Sequence, residues 1–165
     1  MTNRHATAQT GEALIGAELA RIGFTIAFPT GNAKAVDILA YRDGESRAVQ
    51  VKTVSKGSLQ IDLGKFVDIE FEGDPGQERQ IINGPLKSLD CAIDFVIVFL
   101  GSKLGEDEIF CAKLEAFATF ASNRQRNYLI DGRRPGTNKK SLHAGYKREI
   151  IAADKIFRSF KEYFG

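Results

Sequence analysis

Histidine and cysteine are scarce in this chain, and their scarcity excludes several chemistries. The two histidines, His5 and His143, are too few and too far apart for a zinc site, so each is expected to be a surface or loop residue. The two cysteines, Cys91 and Cys111, lack metal-ligand spacing and lie beside apolar segments, which predicts reduced core residues rather than a disulfide. The longest apolar run, Phe95 to Leu100, falls far short of the roughly 20 residues that span a bilayer and reads as a buried strand. The opening MTNRHATAQT has no apolar core of a secretory signal, so a cytoplasmic location is expected. Neither a P-loop nor a nucleophile-elbow motif occurs, which leaves P-loop nucleotide hydrolysis and elbow-type serine chemistry without support. There is no internal repeat and no low-complexity tract.

What is present fits one globular domain. With 165 residues, 43% of them apolar and 27% charged, the chain has the balance of a soluble protein able to bury a core without staples. We expect a single domain over 1–165, with a core at 8–100 and a basic extension at 122–165. The net charge of +2 conceals an uneven distribution: residues 1–121 carry 12 Lys/Arg against 17 Asp/Glu, and residues 122–165 carry 11 against 4. Lys and Arg displace condensed counterions from phosphates, so the C-terminal quarter is a candidate nucleic-acid-facing side. A solvated surface gives the same composition.

Taken in order, residues 8–23 predict an amphipathic helix with Leu14, Ile15, Leu19 and Ile22 on one stripe, Thr7 or Thr10 as N-cap and Gly23 as terminator. Glu12 and Glu18 fall on opposite margins of that stripe, and periodicity does not choose between them. Strands are predicted at 24–28, 36–41 and 47–54, the last two joined by an Asp43-Gly44 turn. A hairpin of 59–62 with 66–71, a weak helix within 77–91, a strand at 95–100, a short partner strand at 109–112 and a helix at 114–121 follow. Residues 128–130 read as a short strand, 131–148 as a basic loop and 150–164 as a docking helix.

Charge inside strand-like runs marks the most specific stretch. Asp37 stands in Val36-Asp37-Ile38-Leu39, and Gln50 and Lys52 stand two apart in Val49-Gln50-Val51-Lys52-Thr53-Val54. Successive strand side chains alternate between faces, so Gln50 and Lys52 share one and Val49 and Val51 the other. A solvent-facing edge strand would show the same alternation.

The order of a helix carboxylate, Asp37 on one strand and Gln50-x-Lys52 on the next resembles the core of PD-(D/E)XK nucleases. The run Gly11-Glu12, Gly23-Phe24, Val36-Asp37-Ile38 and Val49-Gln50-Val51-Lys52-Thr53 looks like archaeal Holliday-junction resolvases and the group I intron homing-endonuclease branch, whose Gln-x-Lys form it shares. The resemblance spans residues 10–55. It departs from the usual motif in Gln50, which replaces an acidic residue, and in Val36, which replaces a proline.

The resemblance implies an α/β (α+β) restriction-endonuclease-like αβββαβ core with a mixed central sheet flanked by helices, plus a β-hairpin insertion and a C-terminal helix. It implies a Mg²⁺- or Mn²⁺-dependent endodeoxyribonuclease acting on DNA, compatible with a homodimer. Glu12, Asp37, Gln50 and Lys52 are then the catalytic set. Asp37, Gln50, the Val51 backbone carbonyl and Glu12, with Glu18 as the alternative, would hold the metal, because Mg²⁺ takes hard oxygen ligands. Lys52 would orient the attacking water and offset phosphate charge. Arg133, Arg134, Lys139, Lys140, His143 and Lys147 are the candidate DNA-binding residues. The alternative reading is a nuclease-fold nucleic-acid-binding module with weak or lost catalysis.

Overall fold

A computed structural model describes residues 4–30, 36–103, 105–130 and 140–165. The chain divides into two compact units, one of Met1–Leu59, Cys91–Leu114 and Tyr146–Gly165, the other of Gln60–Asp90 and Glu115–Gly145.

In the first unit, α1 (Arg4–Arg21) is followed by β1 (Thr25–Ala27), β2 (Ile38–Arg42) and β3 (Glu45–Val54). The helix begins earlier than expected, so Thr7 and Thr10 lie within it rather than at its cap, and the Thr10 hydroxyl donates back to the Ala6 carbonyl at 2.8 Å. Gly23 does end it. With φ of +97°, Gly23 donates its N–H to Ala20 and Phe24 donates to Leu19, the paired bonds that close a helix on a left-handed glycine. Asp43 and Gly44 both have positive φ, 52° and 86°, the geometry of the two-residue turn that matches strand twist, and β2 returns antiparallel as β3.

From Ala48 to Lys52 the burial of β3 alternates as a two-residue period requires. Val49, Val51, Ile38 and Ala40 form a buried cluster with Ile15 and Leu19 of α1. A fully buried aliphatic side chain contributes roughly 1.5–3 kcal/mol, so this face fixes the register.

Further along the chain come β4 (Ser58–Asp62), β5 (Val67–Glu72), β6 (Arg79–Pro85), β7 (Asp94–Phe99), β8 (Glu108–Lys113), α2 (Leu114–Ile130), β9 (His143–Lys147), α3 (Arg148–Ala152), β10 (Arg158–Ser159) and α4 (Phe160–Phe164). The sheet of the first unit runs β1-β2-β3-β7-β8-β10. It is mixed: β3 and β7 are parallel, and the other neighbours are antiparallel. At the head of β7, Asp94 is fully buried and accepts from Lys113 Nζ at 2.6 Å, Tyr163 Oη at 2.7 Å and Arg47 Nη1 at 3.3 Å. These bonds tie β3, β8 and α4 to β7 through a buried charge that its partners satisfy.

Several expectations need correction. The helix expected within 77–91 is strand β6, which pairs with β5 and gives Gln80 and the neighbouring isoleucines a ladder to bury against. No hairpin joins 59–62 to 66–71: β4 pairs with β9, because the chain between β4 and β5 forms a helical turn, Leu63–Lys65, capped by Asp62 accepting from Gly64 N–H. Residues 128–130 are the last turn of α2. The single C-terminal helix is two short ones, the second started afresh by Ser159 and Glu162, which cap each other's backbone N–H groups. Cys111 is buried as expected, but Cys91 is exposed.

Candidate active site

Asp37 lies where β2 parts from β3. The last register pair is Ile38 with Val49, and just before it Asp37 donates its N–H to Val49 O at 2.8 Å. Its carboxylate Oδ2 accepts from Val51 N–H at 2.7 Å. One carboxylate oxygen thus fixes the side chain to β3, and Oδ1 takes no part in that bond. Backbone groups alternate sides along a strand. Val54 O accepts from Leu100, on the β7 side, and Val49 O accepts from Asp37 on the other, so the Val51 carbonyl is directed to the Asp37 side, beyond the last β2–β3 pair.

Gln50 and Lys52 are half-buried and share the face opposite Val49 and Val51. Their partners on β7, Phe95 and Ile97, are fully buried. Of the two helix carboxylates, Glu12 is the one electrically coupled to this edge. Burial and the charge of Asp37 raise its pKa, while His5 and Lys52 pull it down. Glu18, six residues on, instead pairs with Arg21 at 3.3 Å. Close seating of α1 brings Glu12 in: a Cβ on Gly11 would lie 1.9 Å from Thr53 Oγ1 on β3, so only glycine admits this approach.

The donor set suits a hard divalent cation. Asp37 disfavours the charge of Glu12, which a bound cation would relieve, and the Gln50 amide oxygen and the Val51 carbonyl are neutral oxygens of the kind such ions accept. Among the described residues no group of three or more His, Cys, Asp or Glu side chains converges for a metal, so the carboxylate contribution is limited to this pair.

The candidate DNA-binding residues do not form one described cluster. Arg133, Arg134 and Lys139 lie outside the described residues. Lys140 pairs with Glu78, the backbone N–H of His143 donates to Ser141 Oγ at 3.2 Å, and Lys147 is exposed immediately before α3. Sequence reasoning placed His5 as a surface or loop residue and did not connect it with Glu12, whose pKa its charge lowers. His5 belongs to α1, and its seven-residue spacing from Glu12, two helical turns, was the available signal.

His5, Glu12, Asp37, Gln50 and Lys52 fall within a single stretch of the chain. Residues 2–66 match the PD-(D/E)XK endonuclease family. The PD-(D/E)XK match takes in His5, Glu12, Asp37, Gln50 and Lys52, and it falls on the segment whose motifs carried the resemblance. No curated protein matches the chain. Among solved structures, a bacterial homing endonuclease, I-Ssp6803I, is similar with a TM-score of 0.42 and 12% identity, over 69% of this chain and 71% of that chain.

Proposed function

We propose that the protein is a divalent-metal-dependent endonuclease that hydrolyses phosphodiester bonds in DNA. The observation that carries this reading is the coupling of Glu12 to Asp37 and Lys52 at the edge where β2 leaves β3. Asp37 Oδ1, Glu12, the Gln50 amide oxygen and the Val51 carbonyl would hold Mg²⁺ or Mn²⁺, which when bound neutralises phosphate charge and acidifies coordinated water. Lys52 reaches the phosphate from the sheet face, offsets the negative charge that grows as water attacks phosphorus, and orients that water by hydrogen bonding. Asp37, tied to Val51 N–H, needs no reorganisation to present its other oxygen.

Purified protein is expected to nick or cut DNA with Mg²⁺ or Mn²⁺ and to lose that activity on chelation. Asp37→Ala and Lys52→Ala should each reduce cleavage by at least about a hundredfold, with unchanged circular dichroism. Equal residual cutting by wild type and both variants would assign the activity to a contaminant.

One observation favours a second reading. Gln50 leaves the site with a carboxylate pair rather than three acidic groups, which weakens divalent-ion affinity and suits a nuclease-fold module that binds nucleic acid without efficient catalysis. Such a protein would bind DNA in a salt-sensitive manner and leave it intact in saturating Mn²⁺. A homodimer fits either reading, and sedimentation would detect it.

A further inference from the structure

The face of β1, β2 and β3 turned away from α1 carries more than Gln50 and Lys52. Opposed residues of an antiparallel pair share a face. The register therefore puts Leu39 in a row with Ala27 and Ala48, and Tyr41 in a row with Thr25 and Ser46, on the face that holds Gln50. The alternate residues of β2, Ile38 and Ala40, are buried with α1. Asp37 opposes Gln50 one step beyond the Ile38–Val49 pair, in the same two-residue series as Leu39 and Tyr41. Leu39 thus lies roughly 7 Å and Tyr41 roughly 14 Å from Asp37 along the strand.

Leu39 is 48% and Tyr41 54% exposed. Together with Thr25 and Ser46 they line a cavity of about 270 Å³. None of the six side chains in the two rows carries a formal charge. Arg47 also borders the cavity, but its guanidinium turns to the other face, where it reaches Asp94, the register partner of Val49, and lies over the Tyr163 and Phe164 rings. An exposed apolar patch of this kind, continuous with a candidate reaction site, marks a surface that something covers.

We propose that Leu39 and Tyr41 form a stacking platform for unpaired nucleotides beside the scissile phosphate, so that the substrate is DNA with a single-stranded segment rather than a continuous duplex. The inference rests on the nucleic-acid reading of the site. A strand that reaches Asp37, Gln50 and Lys52 lies across this face, and its neighbouring nucleotides meet the two uncharged rows. The outside of a continuous duplex presents phosphates, which are held by cations and N–H donors, and these rows supply neither charge. Unpaired nucleotides present the flat faces of their bases, which stack on aromatic side chains. The cavity is smaller than the roughly 300–1,000 Å³ of sites that enclose a drug-sized ligand, and it suits one planar group laid against Tyr41. Leu39, between Tyr41 and Asp37, gives the adjoining nucleotide an apolar contact.

A continuous duplex and the same duplex interrupted by a short single-stranded gap are bound in Ca²⁺ and followed by fluorescence anisotropy. Wild type should bind the gapped DNA about tenfold more tightly, the size of one base–aromatic stack. Tyr41→Ala should remove that preference and leave duplex affinity unchanged, Tyr41→Phe should keep it, and Leu39→Ser should lower it in part. A fluorescent adenine analogue in the gap should be quenched on binding wild type or Tyr41→Phe, and not on binding Tyr41→Ala. Equal affinity for the two DNAs, or a loss shared by both in Tyr41→Ala, would overturn the platform. So would variants that change the sedimentation coefficient while DNA affinity holds, which would give this face to a second copy of the chain. Cleavage in Mg²⁺ separates the two readings. Wild type that prefers gapped DNA without cutting it keeps the platform and abandons the nuclease, whereas wild type that binds and cuts both DNAs alike does the reverse. Wild type that neither binds nor cuts overturns both.

Discussion

Glu12 destabilises the fold when ionised. Its burial and its closeness to Asp37 raise its pKa more than His5 and Lys52 lower it. A carboxyl whose pKa is raised on folding contributes its full stability below the unfolded value, about 4.3 for Glu, and loses it as pH rises through the folded value. Replacing it with neutral glutamine removes that loss. Glu12→Gln should accordingly melt higher than wild type at pH 7 to 8 in chelator, with the gap closing toward pH 4, while cleavage is lost. Thermal unfolding followed across this range checks it, and a Glu12→Gln protein melting lower at neutral pH would contradict the coupling. Asp37, Gln50 and Lys52 could be named as candidates from the sequence because charge or amide inside β-branched runs asks for a reason. Glu12 against Glu18 was not, since both sit at the margin of one stripe, and only the position of the strand edge beneath α1 separates them.

At the scale of elements, two glycines let the helix reach the sheet. A Cβ on Gly11 would meet Thr53 Oγ1 at 1.9 Å, Cβ at 2.9 Å and Cγ2 at 3.0 Å, and one on Gly16 would meet the Phe28 ring at 2.7 Å. Alanine gains about 1 kcal/mol in helix propensity over glycine, but overpacking costs about 1–3 kcal/mol, and contacts this short place Gly11→Ala in the upper part of that range. The net loss should be about 1–2 kcal/mol in chemical denaturation. Displacing α1 also moves Glu12, so cleavage should fall by about a hundredfold, more than the lost stability explains. Adding Thr53→Ala removes the two side-chain atoms beyond Cβ and should recover part of both. A neutral Gly11→Ala would mean that α1 is seated by something else. The α1-to-β3 segment was readable because turn, cap and period agree there. Residues 55–93 were not: β6 places Ile81 and Ile82 side by side, which matches no clean period, and its partner β5 was assigned to β4 because the capped turn at Leu63–Lys65 resembles a hairpin loop.

For the whole molecule, the net charge of +2 hides opposed regions. Residues 122–165 carry 11 Lys/Arg against 4 Asp/Glu, whereas the β5–β6 segment from Val67 to Pro85 carries five carboxylates and one arginine. A phosphate backbone would avoid the second and approach the first, so the binding of DNA should depend on the C-terminal quarter. Binding to phosphates releases counterions, and the slope of log K against log salt changes by about 0.9 for each phosphate contact on duplex DNA. Replacing Arg133, Arg134, Lys139 and Lys140 by glutamine should lower the slope by up to about 3.6 if all four reach phosphate. Lys140 already pairs with Glu78, so it should contribute least, and a change near 2.7, about three contacts, is the expected outcome. Measuring Kd across a salt series in Ca²⁺, where no strand is cut, separates this from catalysis. An unchanged slope in the quadruple variant would place the phosphate contacts elsewhere and return the basic quarter to a solvated surface. A slope that changes fully on Lys140→Gln alone would mean that DNA displaces Glu78 from that lysine.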